Sequence, residues 1–323
     1  MIVIIYAALL LVVGLIIIAI SSEYAVKHSA ILASLLGVSP LIIGLSLVSI
    51  GTDIPEIFNS IISCALGHGD IDVGDSVGSD LTQITLIFGL VPIICGGFLI
   101  KRKEILILGF CEILSLIVIY AVVEKGYFTR INALVMICSL PVYICIIYLV
   151  SEDTLIDFGE EFAKDLEKMD KEKKKIYHIS IALIGFVGVA ISSFIIVQSI
   201  IIIATELQVH EYIISFFIAA LGTSLPELAV DVNAIKRRKE YKLALGDIFG
   251  SCIVDSTLSI GIGQFLFPQV VSAEFAVPTV LYTLIATLIV LTILVVRKKI
   301  DKKTGIFFIV LYFLSYFLLF LWI

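Results

Sequence analysis

The chain runs to 323 residues, 60% of them hydrophobic and only 15% charged, with 22 Lys and Arg against 28 Asp and Glu and a formal net charge of −6. Soluble domains carry roughly 25% charged and about 45–50% apolar residues, so this chain has too few charges to build a water-facing surface. A soluble enzyme and a disordered tail are excluded, and the net acidity argues against a nucleic-acid partner. What remains is an all-α polytopic membrane protein.

A membrane helix needs roughly 20 mostly apolar residues. Ten such stretches follow one another at about 2–26, 39–66, 72–100, 105–123, 131–150, 177–203, 212–235, 243–268, 275–296 and 305–323. The first holds no Lys or Arg before Ile20, so it lacks the basic start of a signal peptide and reads as a membrane helix. The one long polar segment, 151–176, contains EEFAKDLEKMDKEKKK, whose alternating charges suit a solvated linker. Cysteines 64, 95, 111, 138, 145 and 252 lie in or beside apolar runs without a CxxC pair, and read as small buried hydrophobes.

Lys and Arg collect on the cytoplasmic side. Alternate connections (Lys27, Lys101–Lys103, the central linker, Lys236–Lys242 and Arg297–Lys303) hold all of these residues except Lys125 and Arg130. The linker is therefore expected in the cytoplasm and both termini outside, in the cell membrane.

GTDIPE at 51–56 returns as GTSLPE at 222–227, and GDSVGS at 74–79 returns as GDIFGS at 246–251. Residues 1–150 and 177–323 thus read as two five-helix repeats. Five is odd, so the second repeat enters the membrane inverted, a transporter pattern that places the substrate site at the midplane. Pro55 and Pro226 each lack an N–H and break helices 2 and 7 inside the bilayer. A carbonyl freed there needs a partner, unless it lines a polar cavity. Thr52 and Glu56, Thr223 and Glu227, Ser79 and Gln83, and Ser251 and Asp255 are each spaced four apart. The set is all oxygen, which suits a hard cation such as Ca²⁺. Four carboxylates at mid-membrane (Asp53, Glu56, Glu227, Asp255) would cost about 12 kcal/mol at roughly 3 each, comparable to the whole stability of a domain.

VGDSVGSDLTQ with GTDIPE, and LGDIFGSCIVD with GTSLPE, resemble the two alpha repeats of the cation/calcium antiporter superfamily, most closely prokaryotic sodium/calcium exchangers. The motif similarity spans about 45–90 and 216–262. The resemblance implies a core of helices 2, 3, 7 and 8 around a row of cation sites, with helices 1 and 6 sliding across it. It implies Glu56 and Glu227 as shared Ca²⁺ and Na⁺ ligands. Thr52, Thr223, Ser224, Ser79, Ser251, Gln83 and Asp255 complete the Na⁺ sites, and the carbonyls of Ser49 and Ala220 face the ions. Asp53 stands where the family usually has Ser, and Gln83 where it has Asn. Asp53 joins the ligand candidates, and the choice of Na⁺ or H⁺ as counter-ion stays open.

Asp75 and Asp247 follow a glycine and read as helix N-caps. Asp80 adjoins Ser79, Asp231 lies near the basic run at 236–239 and reads as an interfacial charge pair, and Glu112 sits mid-helix without a counterpart in the other half. His28, His68, His178 and His210 fall near span ends and read as non-ligands. The leading function is Ca²⁺/Na⁺ exchange by alternating access, with Ca²⁺/H⁺ antiport the nearest alternative. A channel usually builds its pore from oligomeric rings of ligands, and an intramembrane acid/base enzyme does not need the duplication. No cofactor and no obligate protein partner is expected beyond the transported ions and the bilayer.

Overall fold

Backbone N–H and C=O groups in hydrocarbon have to be satisfied within the segment, and the chain does this with helices almost throughout. The computed structural model describes residues 2–36, 51–150, 175–233, 235–236 and 241–322. In chain order the helices are α1 (Ile2–Leu35), α2 (Ile54–Ala65), α3 (Gly69–Cys95), α4 (Arg102–Val123), α5 (Arg130–Val150), α6 (Lys175–Leu207), α7 (Glu211–Val232), α8 (Tyr241–Leu266), α9 (Ala273–Arg297) and α10 (Lys302–Trp322). Among the described residues nine are long and apolar enough to cross a membrane, and α2 is the shorter tenth. The first part of the second expected span, Ser49 within it, and the linker up to residue 174 lie outside the described residues.

Two helices outrun their expected bounds. α1 continues past residue 26 to Leu35, and α6 runs from Lys175 to Leu207. Polar residues in the extension of α1 are carried by packing: His28 is buried, with its Nδ1 2.9 Å from Nδ1 of His178 on α6. The buried positions of α1 (Ala7, Leu11, Gly14, Ile18, Ser22, Ala25) recur every three or four residues, which makes one seam along the helix. That seam meets α6. Small residues let the two backbones approach closely, as is usual where helices pack in lipid.

Burial grades inward. Buried residues make up 78% of the central window in α3 and α8 but 22% in α1 and 33% in α6, so α3 and α8 form the centre while α1 and α6 face lipid. α3 crosses α7 so closely that a Cβ on Gly78 would stand 2.1 Å from the Phe216 carbonyl oxygen, which leaves room only for glycine there. The C-terminal part of α8 packs on α2 and on α5, while α10 packs on the C-terminal part of α3. α4 packs against α9.

π-helical turns interrupt α3, α7 and α8, at Thr82–Ile87, Ser215–Ala219 and Asp255–Ser259. The turns at Thr82 and Asp255 begin about one helical turn after the ends of the two GDxxGS motifs, at Ser79 and Ser251. In each a threonine hydroxyl turns back to the carbonyl four residues earlier, Thr85 to Leu81 and Thr257 to Ile253. A π turn widens the backbone and is common at functional sites.

The connections sort onto two faces. On one, β1 (Phe98–Leu99) pairs antiparallel with β2 (Lys299–Ile300), joining the α3–α4 and α9–α10 loops. On the other, Tyr127 bridges Val270, Gln269 donates from its amide to the Cys64 carbonyl at 2.9 Å, and His68 meets Glu211 at 2.8 Å. The α2–α3, α4–α5, α6–α7 and α8–α9 loops therefore lie together, on the face opposite the two short strands.

Candidate ion-binding site

Each GTxxPE segment holds a turn. Around the first, Thr52 and Asp53 form a turn and α2 begins at Ile54, with Asp53 at the N-cap and Pro55 in the first turn. Around the second, α7 is helical to Thr223, breaks at Ser224 and resumes at Leu225. Proline has no N–H to continue the ladder, so the break falls where the sequence puts it. Glu56 and Glu227 sit one turn beyond their breaks. Each is 1% exposed, and none of their four carboxylate oxygens has a hydrogen-bond partner in the protein. The charges of Glu56 and Asp53 act on Glu227, which brings carboxyls of α2 and α7 to one site.

The remaining candidates close round this pair. Asp53 is fully buried and turned toward α8, where its Oδ1 accepts from the Ser251 hydroxyl, leaving Oδ2 without a partner. Gln83 donates from Nε2 to Ser251 Oγ at 3.2 Å and to Asp255 Oδ2 at 3.4 Å, which links α3 to α8. Asp255 keeps its Oδ1 unpartnered. Ser79 Oγ lies 3.4 Å from Thr223 Oγ1, a contact between α3 and α7. Thr52 Oγ1 and Ser224 Oγ are buried without partners. The Ala220 carbonyl accepts from Ser224 N–H at 3.1 Å, and the Thr223 hydroxyl lies between it and the Ala219 carbonyl, at 3.3 and 3.2 Å. Ser49 lies outside the described residues.

Unpaired buried carboxylate oxygens are costly, and in a membrane they mark an ion or proton path. The oxygens that converge are those of carboxylates and hydroxyls, with no histidine among the described residues, and Gln83 turns its Nε2 rather than its amide oxygen to them. Such a set fits a hard cation that takes six to eight oxygens.

Two readings from the sequence are corrected. Asp75 and Asp247 are not N-caps. α3 starts at Gly69, and the helix that carries Asp247 starts at Tyr241, so both aspartates lie inside their helices. Asp75 Oδ2 instead accepts from Asn59 Nδ2 at 2.9 Å, and both Asp247 oxygens are buried without partners. Asp231 is fully buried rather than interfacial, with both oxygens unpartnered and Asp247 as its charged neighbour. The signal that could have placed them was the length of helix ahead of each glycine, not the glycine itself.

The model for the family described as sodium/calcium exchanger protein matches residues 6–151 and 177–321. The chain belongs to that family. Among curated relatives, the uncharacterized membrane protein MJ0091 of Methanocaldococcus jannaschii is 27% identical over 73% of this chain and 72% of its own. Sodium/calcium exchanger MaX1 of Methanosarcina acetivorans is 34% identical over 28% of this chain and 25% of its own. Among solved structures, the H⁺/Ca²⁺ exchanger CAX covers 96% of this chain and 82% of its own with TM-score 0.73 at 15% identity. The sodium-calcium exchanger NCX_Mj covers 97% and 98% with TM-score 0.59 at 24% identity. The fold is thus that of ion exchangers. The backbone superimposes better on one exchanger while identity is higher to the other, so neither measure selects the counter-ion.

Proposed function

We propose that this family member is a secondary active transporter that exchanges Ca²⁺ for Na⁺ by alternating access, and is not an enzyme. The observation that carries this reading is the pair Glu56 and Glu227: two buried carboxylates on α2 and α7, with four oxygens that no protein donor satisfies. A divalent ion between them offsets both charges, Thr52, Thr223, Ser79, Ser224, Ser251 and Asp255 supply neutral and acidic oxygens around it, and Gln83 joins them once its amide turns its oxygen inward. The two five-helix halves, 1–150 and 177–323, place equivalent motifs on either side, with helices α1 and α6 moving across the core. The cytoplasmic linker, both termini outside and the cell membrane complete the proposed topology.

One specific observation favours H⁺ as the counter-ion instead. Asp53 puts a carboxyl where the second motif has Ser224, and it already accepts a proton-bearing hydroxyl from Ser251. A carboxyl can carry a proton where a serine cannot. Reconstitution in liposomes decides. Ca²⁺ uptake driven by an outward Na⁺ gradient at equal pH supports Na⁺ exchange. Uptake driven only by a pH gradient supports the alternative, and uptake that needs neither gradient removes both.

A further inference from the structure

Outside the site above, α3, α4 and α8 bring together Asp80, Glu112 and Cys252. One carboxylate oxygen from each acid and the Cys252 sulfur all lie within 4.8 Å of one another. The three residues are at most 1% exposed. Asp80 Oδ2 accepts from the Ser256 hydroxyl and Glu112 Oε2 accepts from Ser115 at 3.3 Å. Asp80 Oδ1 and Glu112 Oε1 have no partner. No Lys or Arg among the described residues forms an ion pair with either acid.

We infer that these residues form a second metal site, selective for a borderline or soft divalent ion such as Zn²⁺ or Cd²⁺. The donor set differs in kind from the all-oxygen transport site. Two carboxylates and a sulfur suit Zn²⁺, whose Zn–S and Zn–O bonds of about 2.3 and 2.0–2.2 Å put neighbouring ligands roughly 3.5 Å apart. Sulfur selects against Ca²⁺ and Mg²⁺. Binding exchanges the thiol proton, which leaves to water, for a metal–sulfur bond. That thiol now donates to Gln83 Oε1 at 3.3 Å, so metal binding removes a donor from the residue that tethers Ser251 and Asp255. The second site is thereby wired to the first, and its occupation slows exchange. The metal site itself does not depend on the identity of the counter-ion.

The test uses full-length protein in detergent, with cysteines 64, 95, 111, 138 and 145 replaced by serine. Cd²⁺ titration is expected to give one equivalent of sulfur-to-cadmium ultraviolet absorption, lost in Cys252→Ser, with the Cd²⁺ Kd raised at least tenfold in Glu112→Gln. X-ray absorption on the Zn²⁺-loaded wild-type chain is expected to show one sulfur among oxygen neighbours, which needs no variant. An all-oxygen Zn²⁺ shell, absorption that survives Cys252→Ser, or an unchanged Kd in Glu112→Gln overturns the site. None of these outcomes touches Ca²⁺ uptake, so exchange and the second metal site fail or stand separately.

Discussion

At the scale of single residues, Glu56 and Glu227 are the sharpest points. Removing one charge from a buried, paired arrangement costs roughly 3–5 kcal/mol, and each 1.4 kcal/mol is tenfold. Glu56→Gln and Glu227→Gln are therefore each expected to weaken Ca²⁺ binding by at least about 100-fold and to abolish exchange in a chain that still purifies as a folded species. Near-normal ⁴⁵Ca²⁺ uptake at matched protein level would remove the assignment. Asp53 makes a different prediction, because Ser251 Oγ can still meet a serine hydroxyl there. Asp53→Ser is expected to keep Ca²⁺ uptake while losing its response to an imposed pH gradient. Parallel pH responses in mutant and wild type would show that Asp53 carries no proton in the cycle. Glu56 and Glu227 stand out in the sequence because the duplication repeats them at a fixed spacing, and Asp53 stands out as the place where the two copies differ. Glu112 and Cys252 do not, since they come from α4 and α8, far apart in the chain, and only packing joins them to Asp80.

Among the helices, the contact that invites a mechanical test is where α1 crosses the second break. A Cβ on Gly222 would stand 2.3 Å from Leu15 Cδ1, well inside van der Waals contact. If α1 slides over the core as proposed, Gly222→Ala is expected to slow exchange, and Leu15→Ala in the same chain is expected to restore it. A slow double mutant would place the defect in the break itself. Phe58 on α2 stacks on Phe186 of α6 with ring centroids 6.2 Å apart, which joins the second proposed moving helix to the core. A bifunctional thiol reagent spanning cysteines at these two positions, with the six native cysteines replaced, is expected to stop exchange and spare Ca²⁺ binding. Full-rate exchange after complete cross-linking counts against the sliding element. Sequence periodicity located most of these helices because lipid demands long apolar runs. It ended α1 too early because Lys27 and His28 look like a boundary, and only the partner surface of α6 shows why the helix continues. It placed Asp75 and Asp247 at helix starts for the same reason: a glycine marks flexibility, while the start depends on what precedes it.

For the molecule as a whole, the grouping of connections onto two faces gives a topology test. The strand pair at Lys299 and the loop at Lys125 belong to opposite faces. In right-side-out vesicles a single cysteine at position 125 is expected to react with an impermeant maleimide and one at 299 to react only after permeabilisation. Labelling of both from outside would break the proposed orientation. A π turn follows each GDxxGS motif, and this recurrence of local structure behind a recurring motif is why part of the architecture could be read in advance.

The unusual length of the outer pair has a further consequence, one that concerns the lipid more than the protein. At 34 and 33 residues and about 1.5 Å of rise per residue, α1 and α6 each extend for roughly 50 Å, against a hydrocarbon thickness of about 30 Å. Rods of that length lie inclined in the bilayer, and any translation along the core changes how much of their apolar surface matches the acyl chains. The membrane itself then becomes a term in the transport cycle. Turnover in vesicles of graded acyl-chain length is expected to pass through a maximum, whereas Ca²⁺ affinity, which the proposed function assigns to the buried Glu56 and Glu227, is expected to stay level.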